Sequence, residues 1–291
     1  MLTGSRYKSQ YRKFTRSKAG SVLYFSFLAL AGAFTILPMI YAICTSFKPL
    51  DELLVFPPTF FVKRPTVQNY IALPSLLNKL KVPMSRYIFN SLFITVAGTS
   101  LHVLAASAAA FVFSKSRLRC RKLLFTVVQF SLLYNAYTLA VPQYLIFGKT
   151  GIIDTYLVYI LPAIPSAMGC FLMKQFIEES VPNALIEAAR IDGAGMGRIY
   201  WQIVMPISKP AWMTLVLFSF RDMWSIVPSG TIFSEELKTL PQVMTSITQG
   251  GIARAGNAMA ATVILMIPPI VVYCVSQGNV METMGSSGIK G

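Results

Sequence analysis

An all-α integral membrane fold is what this sequence predicts, on three observations. Hydrophobic residues fill 54% of the 291 positions, charged residues only 13%, and long charge-free runs recur along the chain. A soluble domain carries roughly a quarter of its residues charged, so half that share leaves too little polar material to coat a water-facing surface. The runs are continuously apolar, whereas barrel strands alternate over roughly ten residues, so the spans are helical. Disorder, a disulfide framework and collagen are excluded as well, because the four Cys are scattered and the 18 Gly show no period of three.

A hydrocarbon core roughly 30 Å thick needs about twenty residues at 1.5 Å rise. Residues 1–20 come first, a basic segment with Arg6, Lys8, Arg12, Lys13, Arg16 and Lys18 and no acid, of the kind that stays in the cytoplasm. The first span is 21–47. Within it Ala29-Leu30-Ala31 resembles a cleavage site, but the run is too long for a signal-peptide core, so an uncleaved anchor is expected. Residues 48–86 then face outside; their six basic residues weigh little, because long loops translocate largely regardless of charge.

The second span, 87–114, leads into an inner connection where Lys115, Arg117, Arg119, Arg121 and Lys122 crowd together. Spans three and four are 123–148 and 155–177. A fifth, 210–234, is interrupted by Arg221 and Asp222, and the sixth is 255–281, before a tail at 282–291. Six crossings put both termini in the cytoplasm. The +15 net charge is explained by topology and contact with anionic membrane lipids rather than by nucleic acid, since eleven of the 26 basic residues flank the membrane in two short segments.

Catalytic constellations are scarce. The only His is His102, inside the second span, so no HExxH, zinc cluster or Ser-His-Asp set can form, and it reads as an interhelical hydrogen-bonding group. No metal site and no catalytic residue are expected. Cys44, Cys120, Cys170 and Cys274 are too far apart for a CxxC pair and read as packing residues; Arg119 and Arg121 beside Cys120 belong to a topological anchor. Gly148-Lys149-Thr150 lacks the upstream Gly of a phosphate loop, and Gly193 to Gly197 follows a helical pattern instead of a strand.

Residues 178–210 carry the information. Ser180 and Pro182 start a short helix, Leu185, Ala188, Ala189 and Asp192 fall at helical spacing, and Gly193 caps it. A second helix begins near Gly195, with Met196, Ile199, Tyr200 and Ile203 on one apolar face, and Pro206 and Pro210 close it. Such a pair either lies in the membrane interface or docks a soluble partner, and composition alone favours the interface.

Glu187-Ala188-Ala189, Gly193, Ile203 and Met205-Pro206 resemble the EAA signature of ABC importer permeases, with Met205 where Leu is usual. Ile186 to Ala194, Asn90-Ser91, Lys238-Thr239-Leu240-Pro241 and the terminal Gly288-Ile289-Lys290-Gly291 are similar to the carbohydrate, maltose-permease-like branch, of the LplC/YtcP type associated with pectin-derived and other complex oligosaccharides. The resemblance implies a six-helix type I importer permease in the bacterial plasma membrane. It implies as partners a homologous second permease, two cytoplasmic ATPase subunits that consume ATP with Mg, and an external sugar-binding protein, with no cofactor held by this chain. Glu187, Ala188, Ala189, Asp192, Gly193, Ile203 and Pro206 would couple to the ATPase.

For the substrate pathway the candidates are Arg221 and Asp222, roughly 16 Å into the fifth span by helix rise, then Trp224, Tyr134, Asn135 and Tyr137 as aromatic and amide groups suited to a sugar. Where this family commonly has Trp-Asn, this chain has Trp224-Ser225. A self-contained secondary transporter would show an inverted repeat and membrane carboxylates, of which only Asp222 qualifies, and a membrane transferase would show clustered acids or His near one interface.

Overall fold

The computed structural model describes residues 18–78, 82–116, 118–134, 136–228, 230–248, 251 and 254–287, and all regular secondary structure among them is helical. The long elements are α1 (Lys18–Ser46), the 32-residue α4 (Met84–Lys115) and the 33-residue α14 (Ala255–Ser287). Between α1 and α4 lie α2 (Leu50–Leu53) and α3 (Gln68–Asn78). Next come α5 (Arg121–Ser131), α6 (Ala136–Thr150), α7 (Leu157–Ile160) and α8 (Ala167–Ser180). The mixed-polarity segment folds as α9 (Asn183–Ile191), α10 (Met196–Ile199), a π turn (Tyr200–Val204) and α11 (Met205–Ile207). The helices α12 (Lys209–Trp224) and α13 (Leu240–Thr248) precede α14.

By length and apolarity four helical stretches among the described residues can cross a membrane, 20–46, 84–115, 157–180 and 255–278. A fifth is the pair 196–207 and 209–224, bent by 80°. Three predicted spans therefore differ in detail from one straight helix each. The run 123–148 is divided between α5 and α6, where Leu133 and Tyr134 turn to i→i−3 bonds on Phe130 and Ser131. In 155–177, a 3₁₀ turn at Leu161–Ala163 and Pro165 separate α7 from α8. The fifth helix ends at Trp224, ten residues before the predicted end, because the chain from Thr231 to Ser234 is taken up by Asp154.

Helix α4 is the axis of the bundle, packed on α8 and α12, while α14 packs on α12, α1 and α13. The buried face of α4 includes Ser91, Thr95, Gly98, Thr99, Ala106, Ser107 and Ala110, residue types that let membrane helices approach closely, beside larger Tyr87, Ile94 and Phe111. His102 lies on this helix with Nδ1 2.8 Å from the Ala163 carbonyl, so the ring bridges α4 to the α7–α8 turn as the sequence predicts. At Gly256 a Cβ would sit 2.6 Å from the Asn69 side chain, which itself donates to the carbonyls of Ser46 and Lys48. Only glycine lets α14 lie against α3 there. In contrast, the apolar window of α1 is 0% buried within the chain.

Candidate functional site: the helix pair at one end of the bundle

The α9 helix begins after Pro182, whose fixed φ and missing N–H suit a helix start. It stops at Gly193 because that residue holds φ +79°, a left-handed conformation cheap only for glycine. There the Gly193 N–H donates to the Arg190 carbonyl at 3.0 Å and the Ala194 N–H to the Ala189 carbonyl at 2.9 Å. These two bonds are a complete Schellman cap, and they set the angle at which the chain leaves α9.

One face of this pair is anchored in the bundle. Ile186, Ile199, Tyr200 and Val204 are buried with Ala110 and Phe111 of α4, Met173 and Ile177 of α8, and Leu215 of α12. The Tyr200 hydroxyl meets the Ser107 hydroxyl at 2.7 Å in the interior, and its ring packs on Phe111 at 5.6 Å. Lys115, at the end of α4, donates to the carbonyl of Val181, the residue that caps α8, at 2.6 Å and to Asn183 Oδ1 at 2.9 Å, tying the ends of α8 and α9 to α4. Arg190 adds a bond to the Lys115 carbonyl at 3.3 Å.

The opposite face is open. Glu187, Ala188, Asp192 and Gly193 are exposed, and Ile191 is 86% exposed. Glu187 has no hydrogen bond or ion pair among the described residues and borders a polar cleft with Arg121, Asn183 and Arg190. Sequence spacing groups Leu185 with Ala188, Ala189 and Asp192, yet the buried anchor of α9 is Ile186, and Leu185 is 41% exposed. Apolar and small residues thus point away from the bundle beside a free carboxylate. In the second part Ile203 is half-buried, Pro206 is exposed, and the π turn precedes the 80° bend at Ser208, where Pro206 and Pro210 each withhold an N–H. Trp212 Nε1 donates to the Met205 carbonyl at 3.0 Å and braces the bend.

Of the residues predicted for a substrate pathway, Arg221 and Trp224 line one cavity of about 500 Å³, together with Ser225, Pro241 and Met266. Arg221 is exposed on α12 beside Pro269, Ile270 and Tyr273, and Asp222 is exposed too, with no ion pair between them among the described residues. Trp224 also makes a structural bond. It is buried, and its indole N–H donates at 3.0 Å to the Leu265 carbonyl. Four residues further along α14 stands Pro269, which has no N–H to return to that carbonyl, so Trp224 repairs the helix ladder. Tyr134 is 67% exposed at the α5–α6 break; Asn135 and the side chain of Tyr137 lie outside the described residues.

At the other end of α4 the structure joins two motifs that the sequence showed only separately. Asn90 is fully buried and donates to the carbonyls of Glu236 and Lys238 at 2.7 and 2.9 Å, while its Oδ1 accepts from Tyr156 at 2.8 Å. Ser91 accepts the Leu240 N–H at 2.7 Å. Asp154 accepts the N–H groups of Phe233 and Ser234 at 2.9 Å each and the Ser234 hydroxyl. The Ser234 hydroxyl, then its N–H, hold the Asp154 carboxyl below its ordinary pKa. No local signal marks Asp154 or Tyr156 in the sequence.

A bundle of long apolar helices thus carries at one end a helix pair fastened on one face and open on the other. The chain belongs to the family of binding-protein-dependent transport system inner membrane components, whose model matches residues 102–282. It is therefore a permease component of an ABC importer, a multi-pass membrane protein and not an enzyme. It is 28% identical over 286 residues to the protein LplC of Bacillus subtilis, covering 91% of this chain and 92% of that one. It is 25% identical over 303 residues to the polygalacturonan/rhamnogalacturonan transport system permease protein YtcP of the same organism, covering 95% and 100%. Among solved structures the fold matches, with TM-score 0.74 at 23% identity, a chain from a bacterial ABC transporter involved in import of the acidic polysaccharide alginate, covering 90% of this chain and 98% of that one.

Proposed function

We propose that the chain is one permease half of an ATP-driven oligosaccharide importer, moved by a cytoplasmic ATPase that grips α9 through α11. The observation that carries this reading is the open face of α9, where Ala188, Ile191 and Glu187 lie outward on a helix whose other face is fastened to α4 and α8. A grip on that face moves α4, α8 and α12 as a body, because packed contacts transmit displacement rather than absorb it. In the assembled importer a homologous second permease completes the pathway, two ATPase subunits consume ATP and Mg, and an external binding protein delivers the sugar. Six crossings, with α5 and α6 together as the third and α12 as the fifth, leave both termini in the cytoplasm of a bacterial cell.

Glu187→Arg and Gly193→Pro test the docking role. Both variants should insert normally and keep ATP hydrolysis in the assembled complex while uptake falls to background; unchanged uptake in both rejects the assignment.

A second observation bears on the substrate. Arg221 is an exposed guanidinium with no ion pair among the described residues, on a helix whose other charges are the adjacent Asp222 and Lys209 at its start, and intramembrane charges of this kind face cavities or partners. Relatives named for polygalacturonan and for alginate make an acidic oligosaccharide the favoured cargo. Arg221→Gln should then lower uptake of uronic-acid oligosaccharides about tenfold, equivalent to about 1.4 kcal/mol, and spare neutral ones. Equal losses for both would assign Arg221 to an ion pair between helices of the complex.

A further inference from the structure

We infer that the cleft between the ends of α4, α5 and α8 is a binding site for the headgroup of an anionic phospholipid. Its volume is about 330 Å³. Arg121, Lys122 and Lys174 face it with one carboxylate, Glu178, leaving an excess of two positive charges, and Phe113, Phe125 and Thr126 complete the lining. Lys174 is held in place from two sides, by Glu178 at 2.7 Å and over the Phe125 ring at 4.4 Å from the centroid. Phe125 is itself wedged between Phe113 and Phe171. Arg121 spends Nη1 on the Ser114 and Ser116 carbonyls, and its other N–H groups make no hydrogen bond among the described residues.

Two further observations select a lipid. Arg121 and Lys122 open α5, the end where the helix dipole is positive and a cation is unfavourable unless an anion is present. Directly beyond them α5 exposes Leu123, Leu124, Val127 and Phe130, so an apolar, membrane-facing surface continues from the charged mouth. A phosphodiester at the three cations with acyl chains along that surface satisfies both, as basic pockets at the membrane boundary do for anionic headgroups. The cleft shares Arg121 with the polar cleft that Glu187 borders, whereas Lys122 and Lys174 line this one alone.

The test uses the purified importer complex in nanodiscs, comparing wild type with Lys122→Gln/Lys174→Gln and with Lys122→Arg. Native mass spectrometry counts phosphatidylglycerol retained after delipidation, and transport-linked ATPase activity is titrated against the phosphatidylglycerol fraction in phosphatidylcholine. Expected is one more phosphatidylglycerol per permease in wild type and Lys122→Arg than in the double variant, which needs a several-fold higher fraction for half-activation. Equal retention and equal titrations overturn the inference. Displacement of the lipid by millimolar inorganic phosphate would instead make this a free-phosphate site, and loss of the ATPase subunit from the double variant with lipid retention unchanged would make it a protein interface. Either result also overturns it.

Discussion

Tyr200 and Ser107 are 93 residues apart, yet their hydroxyls share one buried hydrogen bond that joins the π turn to the middle of α4. Ser107 also reaches the Leu104 carbonyl at 3.2 Å, so it accepts from Tyr200 while donating along its own helix. Tyr200→Phe removes one bond and should cost about 1 kcal/mol. Tyr200→Ala also removes the ring from Phe111 and should cost about 3–5 kcal/mol. Thermal unfolding of the detergent-solubilised complex measures both, and near-equal losses would place the energy in the hydroxyl pair alone. Trp224 teaches a related lesson. Trp224 lines a cavity with Arg221, and its indole N–H also replaces the donor that Pro269 strips from α14. Trp224→Phe should therefore destabilise the α12–α14 contact by about 1–3 kcal/mol in the same unfolding assay.

Short segments gain definition from side chains that reach them from other helices. The stretch 231–240 between α12 and α13 owes its shape to Asn90, Ser91 and Asp154. In Asn90→Ala two carbonyls lose their buried donor. Hydrogen exchange should quicken at 231–240 and stay unchanged at 183–207, whereas uniform acceleration would mean that the whole bundle had loosened. Asp154 adds a pH dependence of definite sign. Its folded pKa is depressed, so the stability it contributes is present above its unfolded pKa and is lost as pH falls through the folded value. Protection of 231–240 should hold down to the ordinary carboxylate range near about pH 4 and fail below it, and Asp154→Asn should remove that acid step. Glu52 follows the same sign, since the Lys63 N–H and then the Arg64 N–H hold its carboxyl low in the segment between α1 and α4.

For the molecule as a unit, orientation is the consequential expectation. The basic connection after α4 carries exposed Cys120, next to Arg119 and Arg121. With Cys44, Cys170 and Cys274 replaced by Ser, a membrane-impermeant maleimide should label Cys120 in inside-out vesicles and leave it untouched in intact cells. The reverse pattern would put α9 outside the cell and remove the ATPase from it.

Membrane class, the long helices α1, α4 and α14, and the α9–α11 segment were legible from residue order because each rests on local spacing. An apolar run of about twenty residues needs no distant partner to be helical in lipid, and Gly193 caps α9 through bonds to carbonyls at most five residues away. The break between α5 and α6, the early end of α12, the outward turn of Leu185, the repair of α14 by Trp224 and the joining of Asn90-Ser91 to Glu236–Leu240 were not. The contacts that end α12, mend α14 and join Asn90-Ser91 to Glu236–Leu240 link positions 41 to 149 residues apart. Hydrogen bonds along a helix are satisfied by the nearest turn. Those a proline or a loop leaves unmade must be met by whatever helix packing brings alongside.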